Sequence, residues 1–339
     1  MGGVPVAHAQ SASPSSLGAA APGGTDSSGN GNPALSAMEG TLDFSELEFI
    51  QKIGKGSFAQ VFSARWRGSK VAVKVFLNSG VDNSEDEELE TFKSEARTMA
   101  RCQYPHVVRF FGTAVQLPDQ LCIVTELCER GSLQKVIDAQ RRQAESGKVP
   151  SADWPKRLGF LKEAALGTHG LHSSVPPVIH RDLRPANLLV DQSWHVKVCD
   201  FNLSRWLKGD HLSGTVTINS PQWMAPEVLT GSSYGVASDV FSLGVILWQL
   251  VTLKDPWEGQ NPYSVLNTVA HEHGRLPLPG PDEVTPPLPE LPEVCGIIKA
   301  CFETDPAARP SCAEVAARLE DVIAKIKLRG AQERERPPV

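Results

Sequence analysis

Residues 178–205 read Val178-Ile179-His180-Arg181-Asp182-Leu183-Arg184-Pro185-Ala186-Asn187-Leu188-Leu189-Val190-Asp191-Gln192-Ser193-Trp194-His195-Val196-Lys197-Val198-Cys199-Asp200-Phe201-Asn202-Leu203-Ser204-Arg205. Two short apolar runs inside this stretch each sit beside an acid that packing does not explain. Asp182 is followed five residues later by Asn187, and the alternation from His195 to Cys199 predicts a strand that delivers Asp200 directly before Phe201. Asn187 and Asp200 are hard oxygen donors at the ends of separate strands. Such a pair suits a divalent cation that keeps several waters and completes its octahedron with phosphate oxygens. A solvated hairpin requires none of these positions, so the stretch is read as the place where chemistry occurs.

The 339 residues are 41% hydrophobic with a net charge of −6, which fits a chain that folds around more than one core. The charge leaves no basic field for a nucleic-acid backbone or an anionic membrane. Seven cysteines are scattered through mostly apolar runs. They match neither a disulfide framework nor a zinc site and point to a reducing, cytoplasmic setting, with the nucleus left open. The longest apolar run, Val240 to Leu253, falls short of a membrane span and carries Ser242 and Gln249, so it reads as a buried helix.

Residues 1–44 are rich in Gly, Ser, Ala and Pro without a period of 2 or 3.6, the composition of a disordered tail. Order is expected from Phe44 to Ile53, and Gly54-Lys55-Gly56-Ser57-Phe58-Ala59-Gln60-Val61 follows as a glycine-punctuated turn between two strands. A dinucleotide fingerprint would continue into a helix, whereas Val61 to Trp66 read as a strand. Val71 to Phe76 alternate and place Lys74 on the face of Ala72 and Phe76. Ser84 and Glu87 form a capping box for a helix with an inner face of Leu89, Phe92, Ala96 and Met99, and Glu95 lies on that face. An amine and an acid on two apolar faces each need a counter-charge, so Lys74 and Glu95 are paired. Further strands are expected at Phe110 to Gly112 and Leu121 to Leu127, and helices at Trp154 to Ser173 and Ser238 to Leu253. The Pro-rich stretch Leu276 to Pro292 reads as a loop between helices, with a ligand for a proline-binding module as the alternative.

His180-Arg181-Asp182 with Asn187, then Asp200-Phe201, resembles the catalytic and metal-binding loops of eukaryotic protein kinases. Trp66-Arg67-Gly68, Thr125-Glu126-Leu127-Cys128 and Pro221-Gln222-Trp223-Met224-Ala225-Pro226-Glu227 are most similar to the tyrosine kinase-like group of serine/threonine kinases. The resemblance covers residues 45–325 and leaves 326–339 as a charged, flexible tail. It implies an α+β, bilobal fold: a small lobe with a five-stranded antiparallel sheet and one helix, and a larger, mainly helical lobe. It further implies transfer of the γ-phosphoryl group of Mg-ATP to Ser or Thr of protein substrates. Asp182 would orient and accept the proton of the hydroxyl. Lys74, held by Glu95, would reach the α- and β-phosphates, Asn187 and Asp200 would hold Mg²⁺, and Arg184 would stabilise the transferring group. Ile53, Gly54, Gly56, Ser57, Val61, Ala72 and Leu189 would enclose ATP. Thr125 would stand at the back of the adenine pocket, with backbone groups of Glu126 to Cys128 along the adenine edge.

The same resemblance makes Asp239 a support of the catalytic loop and pairs Arg309 with Glu227. An upstream kinase or autophosphorylation would act on Ser213, Thr215 or Thr217, with Arg181 as the phosphate's partner and Arg205 or Lys208 as helpers. Two departures stand out. Asn202 occupies a position usually held by glycine, where a positive φ is often needed and asparagine is the best substitute. Arg184 replaces a lysine usual in serine/threonine kinases and seen as arginine among tyrosine kinases, so dual or tyrosine specificity is an alternative. A nucleotide-binding pseudokinase is another, opposed by the intact set of Lys74, Glu95, Asp182, Asn187 and Asp200.

Overall fold

The computed structural model describes residues 40–55, 59–77, 85–116, 120–207, 212 and 220–335. The expected tail up to residue 39, the turn residues Gly56 and Ser57, the capping Ser84, and Lys208, Ser213, Thr215 and Thr217 lie outside the described residues. The elements of the small lobe are β1 (Thr41–Leu42), β2 (Leu47–Lys55), β3 (Ala59–Trp66), β4 (Ser69–Leu77), α1 (Glu85–Arg101), β5 (Phe110–Gln116) and β6 (Gln120–Glu126). The sheet order is β1-β5-β6-β4-β3-β2. Its last five strands pair antiparallel, as expected from the sequence. The sixth, β1, adds in parallel to β5 through Thr41 and Thr113. Two residues are too short to show a period of two, so the sequence gives no strand signal there.

Alternation along β4 divides two cores. Val71, Val73 and Val75 are buried with Leu47, Ala64, Ala114, Cys122 and Val124 on one face of the sheet. Phe76 turns the other way and meets Phe92 of α1 edge to face, with ring centroids 5.4 Å apart. Phe92, Ala96 and Met99 are all buried there. Burial of a phenylalanine contributes about 1.5–3 kcal/mol, and this pair sets the roll of α1. Glu95 is thereby turned inward toward β4.

The larger lobe contains β7 (Gly131–Ser132), α2 (Leu133–Glu145), α3 (Trp154–His172), β8 (Val178–Ile179), β9 (Leu188–Val190), β10 (Val196–Val198) and β11 (Arg205–Trp206). After these come α4 (Pro226–Leu229), α5 (Ala237–Thr252), α6 (Pro262–Ala270), α7 (Leu291–Cys301) and α8 (Cys312–Glu335). Asp153 caps α3 by accepting from the Lys156 amide, and Pro155 fits the first turn, where its missing N–H is not needed. From Ser238 to Thr252 every residue of α5 is buried, as its continuous apolar run predicts. Gly244 permits this depth, because a Cβ there would lie 2.6 Å from Cys301 Cβ. The Pro-rich stretch is a loop packed on the lobe: Trp248 Nε1 donates to Pro277 O and Trp154 Nε1 to Pro286 O. Helix α8 runs to Glu335, past residue 325 where the sequence reading ends the domain and begins a flexible tail. Beyond 325 Ile326 is buried and Arg329 bonds to Glu290 at 3.0 and 3.1 Å, while Leu328 is 62% exposed.

Candidate active site

Strand β8 ends at Ile179 and the chain turns at once into His180-Arg181-Asp182, with Arg181 at φ 71°. Asp239, near the start of α5 and 1% exposed, holds this turn. Its Oδ2 accepts from the His180 amide and its Oδ1 from the Arg181 amide, each at 2.9 Å. His172, at the end of α3, donates to the same carboxylate from Nε2 at 2.8 Å. Burial opposes the charge on Asp239, but the His172 bond and the Arg181 backbone amide more than offset it and keep the carboxyl below its usual range. The support expected of Asp239 is therefore in place. His172 was missed, because a lone histidine at a helix end carries no signal in the sequence.

His180 is an internal brace. Its Nε2 donates to Cys199 O at 2.9 Å while its Nδ1 accepts from the Asp182 amide at 3.3 Å, which defines a neutral ring protonated at Nε2. The ring lies 5.4 Å from that of Phe201, which is 1% exposed. One imidazole thus ties the Asp182 turn to the Asp200 turn.

Asn187 donates from Nδ2 to both Asp182 O at 2.8 Å and Asp182 Oδ2 at 2.7 Å. Its Oδ1 then points away from Asp182 and stays an acceptor. Burial raises the pKa of Asp182 despite Arg184, whose Nε lies 3.5 Å from Oδ2. A carboxylate with a raised pKa, held in place by an amide, is suited to accept a proton from a hydroxyl.

Lys74 reaches across from β4. Its Nζ donates to Glu95 Oε1 at 2.8 Å and Oε2 at 2.9 Å, to Asp200 Oδ1 at 3.2 Å and to Asn202 Oδ1 at 3.1 Å. Burial works against the ammonium, but Glu95 and Asp200 reverse that effect and raise its pKa, so Lys74 is charged. The Lys74–Glu95 pair predicted from two helix and strand faces is present. Asp200 keeps its second carboxylate oxygen, and with Asn187 Oδ1 it forms a hard-oxygen pair at the ends of β9 and β10. This donor set fits Mg²⁺, which needs only one or two protein oxygens when phosphates supply others. Among the described residues no cluster of three or more His, Cys, Asp or Glu could hold a metal without such help.

The left-handed backbone conformation expected at Asn202 falls elsewhere. Asp200 takes it, at φ 66°, and Asn202 is not in the positive-φ region. The hydrogen bonds of Asp200 and the brace of His180 on Cys199 O fix the turn two residues earlier, and Asn202 is free to use its side chain. Cys199 is half-buried beside this turn, donates from Sγ to Asn187 O at 3.3 Å, and has its pKa raised by burial and then by Asp200.

At the junction of the lobes, Ala72 pairs with Thr125 and Val61 with Lys74 in adjacent strands. Thr125 Oγ1 donates to Glu126 O. The Glu126 N–H donates to Arg109 O and the Cys128 carbonyl accepts from the Gly131 amide. Burial pushes the Cys128 thiol up to about 12, so it packs as a neutral side chain. Leu189 lies in β9 opposite Lys197, while Ile53 and Gly54 lie near the end of β2, where Gly54 pairs with Val61. Glu227 of α4 and Arg309 form a bidentate pair at 2.6 and 2.9 Å, as expected.

Residues 47–319 match the family described as protein tyrosine and serine/threonine kinase. The chain belongs to this family. Within it the resemblance is to the tyrosine kinase-like group. A probable serine/threonine-protein kinase of Arabidopsis thaliana, SIS8, is 42% identical over 81% of this chain and 25% of its own length. The serine/threonine-protein kinase CTR1 of the same plant is 38% identical over 83% of this chain and 32% of its own length. The dual specificity protein kinase shkD of Dictyostelium discoideum is 33% identical over 82% and 35% respectively. The chain thus spans between a quarter and about a third of the length of these three relatives. No helix among the described residues is long and apolar enough to cross a membrane.

Proposed function

We propose that the chain transfers the γ-phosphoryl group of Mg-ATP to serine or threonine hydroxyls of protein substrates. The observation that carries this reading is the convergence of five polar residues from separate elements: Lys74 bonded to both Glu95 and Asp200, beside Asp182 bonded to Asn187. Asp182 orients the attacking hydroxyl and takes its proton. Lys74 positions the α- and β-phosphates, and Arg184 faces the charge that develops on the transferring group. Asn187 and Asp200 would hold Mg²⁺, which when bound neutralises phosphate charge. The adenine edge would meet the Glu126 carbonyl and the Cys128 amide, with Ile53, Gly54, Val61, Ala72 and Leu189 as apolar walls and Gly56 and Ser57 over the phosphates. Seven free thiols support a cytoplasmic setting.

Serine/threonine specificity is favoured by the Ser220-Pro221-Gln222-Trp223 segment and by the names of the first two relatives; Arg184 and the dual-specificity relative favour the second reading. Incubation with labelled ATP and generic protein substrates, followed by phosphoamino-acid analysis, decides it. Label on Ser and Thr alone is expected. Label on Tyr as well would establish dual specificity, and no transfer would leave a nucleotide-binding scaffold.

Arg181 supports a switch by phosphorylation. Its Nη1 donates to Leu203 O at 3.2 Å, its Cζ lies 5.4 Å from the Tyr234 ring centroid, its Nε has no hydrogen-bond partner, and among the described residues it makes no ion pair with a carboxylate. Burial accordingly lowers its pKa. A phosphate on Ser213, Thr215 or Thr217 would supply the anion, with Arg205 and Lys208 as further partners. Phosphatase treatment is expected to lower activity, and alanine at Thr215 and Thr217 together to reproduce the loss with little change in thermal stability. Full activity of that double variant would remove the switch and leave the kinase reading standing.

A further inference from the structure

Lys74 faces more oxygens than it has hydrogens. An ammonium carries three N–H groups, and four oxygens of Glu95, Asp200 and Asn202 lie within 3.2 Å of Nζ. No donor is left for a phosphate oxygen. On the kinase reading the lysine must nonetheless engage the phosphates of the nucleotide, so one of its present partners has to leave.

The candidates are unequal. Glu95 is 2% exposed and uses both carboxylate oxygens, so releasing Lys74 would strand a buried anion. Asp200 is an anion whose attraction for the ammonium persists after a small displacement. Asn202 is half-buried, carries no charge, and sits in ordinary backbone space, so its side chain can turn away without backbone strain. Its orientation is also unambiguous: an ammonium only donates, so the amide must present oxygen rather than nitrogen to it.

We propose that Asn202 is a positioning residue for Lys74 whose amide oxygen occupies the lysine donor that a nucleotide phosphate takes, so that phosphate-bearing ligands bind in competition with it. This inference rests on the kinase reading of the cleft. Glycine, the residue usual at this position, has no side-chain oxygen to offer. Asparagine therefore keeps the lysine oriented in the empty cleft and weakens the first contact with phosphate. Ligands that lack phosphate are indifferent to it.

The test is calorimetric titration of the full chain with ADP in the absence of divalent metal, and with adenosine, for the wild type and for Asn202→Ala, Asn202→Gly and Asn202→Asp. Removal of a neutral acceptor is expected to tighten ADP binding by roughly three- to ten-fold in the Ala and Gly variants. The Asp variant adds an anion on the lysine and is expected to weaken ADP by roughly ten-fold. Adenosine affinity should stay the same in all four proteins, which also reports an intact cleft. Should alanine disturb the turn, the Gly variant gives the same comparison with the residue usual at this place. An unchanged ratio of ADP to adenosine affinity across the Ala, Gly and Asp variants overturns the proposal while leaving the kinase reading intact. A Gly variant unlike an intact Ala variant assigns the effect to the backbone and overturns it too. Failure of the wild type to bind ADP both with and without Mg²⁺ overturns both.

Discussion

Asp182→Asn is expected to lower phosphoryl transfer to protein substrates by roughly two to four orders of magnitude, the range that a positioned general base contributes. The substitution is close to isosteric. Its amide oxygen can still accept from Asn187 Nδ2, which lies 2.7 Å from the native Oδ2, so the loop held by Asp239 should keep its shape. What is lost is the capacity to accept the hydroxyl proton and to attract the hydroxyl hydrogen toward a charge. Nucleotide affinity should therefore be retained, and steady-state assays should show the loss in kcat rather than in KM for ATP. The acid limb of the wild-type pH profile belongs to the same group. Burial raises the Asp182 pKa, so activity should fall with decreasing pH at values above the usual carboxylate range. Lys74→Met separates the two halves of the site. It removes the cation shared by Glu95 and Asp200 and should weaken phosphate positioning, raising KM as well as lowering kcat. Asp182→Asn transferring label at the parental rate would mean that the loop has been assigned wrongly.

Most of this site is legible in the sequence because its residues lie on periodic elements or at fixed offsets from them. Alternation along β4 places Lys74, the helical spacing of Phe92 and Met99 places Glu95, and the spacing from Asp182 to Asn187 is local. The charges of Lys74 and Glu95 then find each other because neither apolar face can leave one unpaired. Three features escape such reading. His172 and Asp239 meet only after α3 and α5 pack, a contact between distant segments with no shared period. The sixth strand is two residues long and exists through pairing with β5. The sequence marks Asn202 for its backbone, as a substitute for glycine, whereas the left-handed turn falls on Asp200 and the amide of Asn202 bonds to Lys74. Composition reveals which residue tolerates a turn, but the residue that takes it is decided by the hydrogen bonds of the folded loop.

The pair Glu227–Arg309 gives the largest expected effect on stability. Arg309 has no side-chain exposure and Glu227 has 10%. Four guanidinium N–H groups are bonded: Nη1 and Nη2 donate to the two carboxylate oxygens, Nη1 also to Ala237 O at 3.0 Å, and Nε to Glu303 O at 2.9 Å. Phe241 adds a ring 5.3 Å from Cζ. Arg309→Met keeps apolar bulk but leaves Glu227 buried without its cation and two carbonyls without a donor. Loss of one partner from such a pair costs about 3–5 kcal/mol, mostly as the penalty of the stranded charge. Glu227→Gln in the Arg309→Met background removes that charge, so the double variant should be more stable than Arg309→Met alone, a non-additivity that equilibrium urea unfolding can read. The consequence extends to catalysis through the chain itself. Ala237 begins α5, two residues before Asp239, and Asp239 holds the amides of His180 and Arg181. An arginine that anchors the start of α5 therefore supports the placement of Asp182 from the far side of the lobe. Arg309→Met should lower kcat even at temperatures where the variant remains folded, and the double variant should recover stability more fully than activity, because the bond to Ala237 O is still missing. Single-variant losses below about 1 kcal/mol would place this pair with exposed ion pairs, which contribute that little, and would remove Arg309 from the support of the catalytic loop.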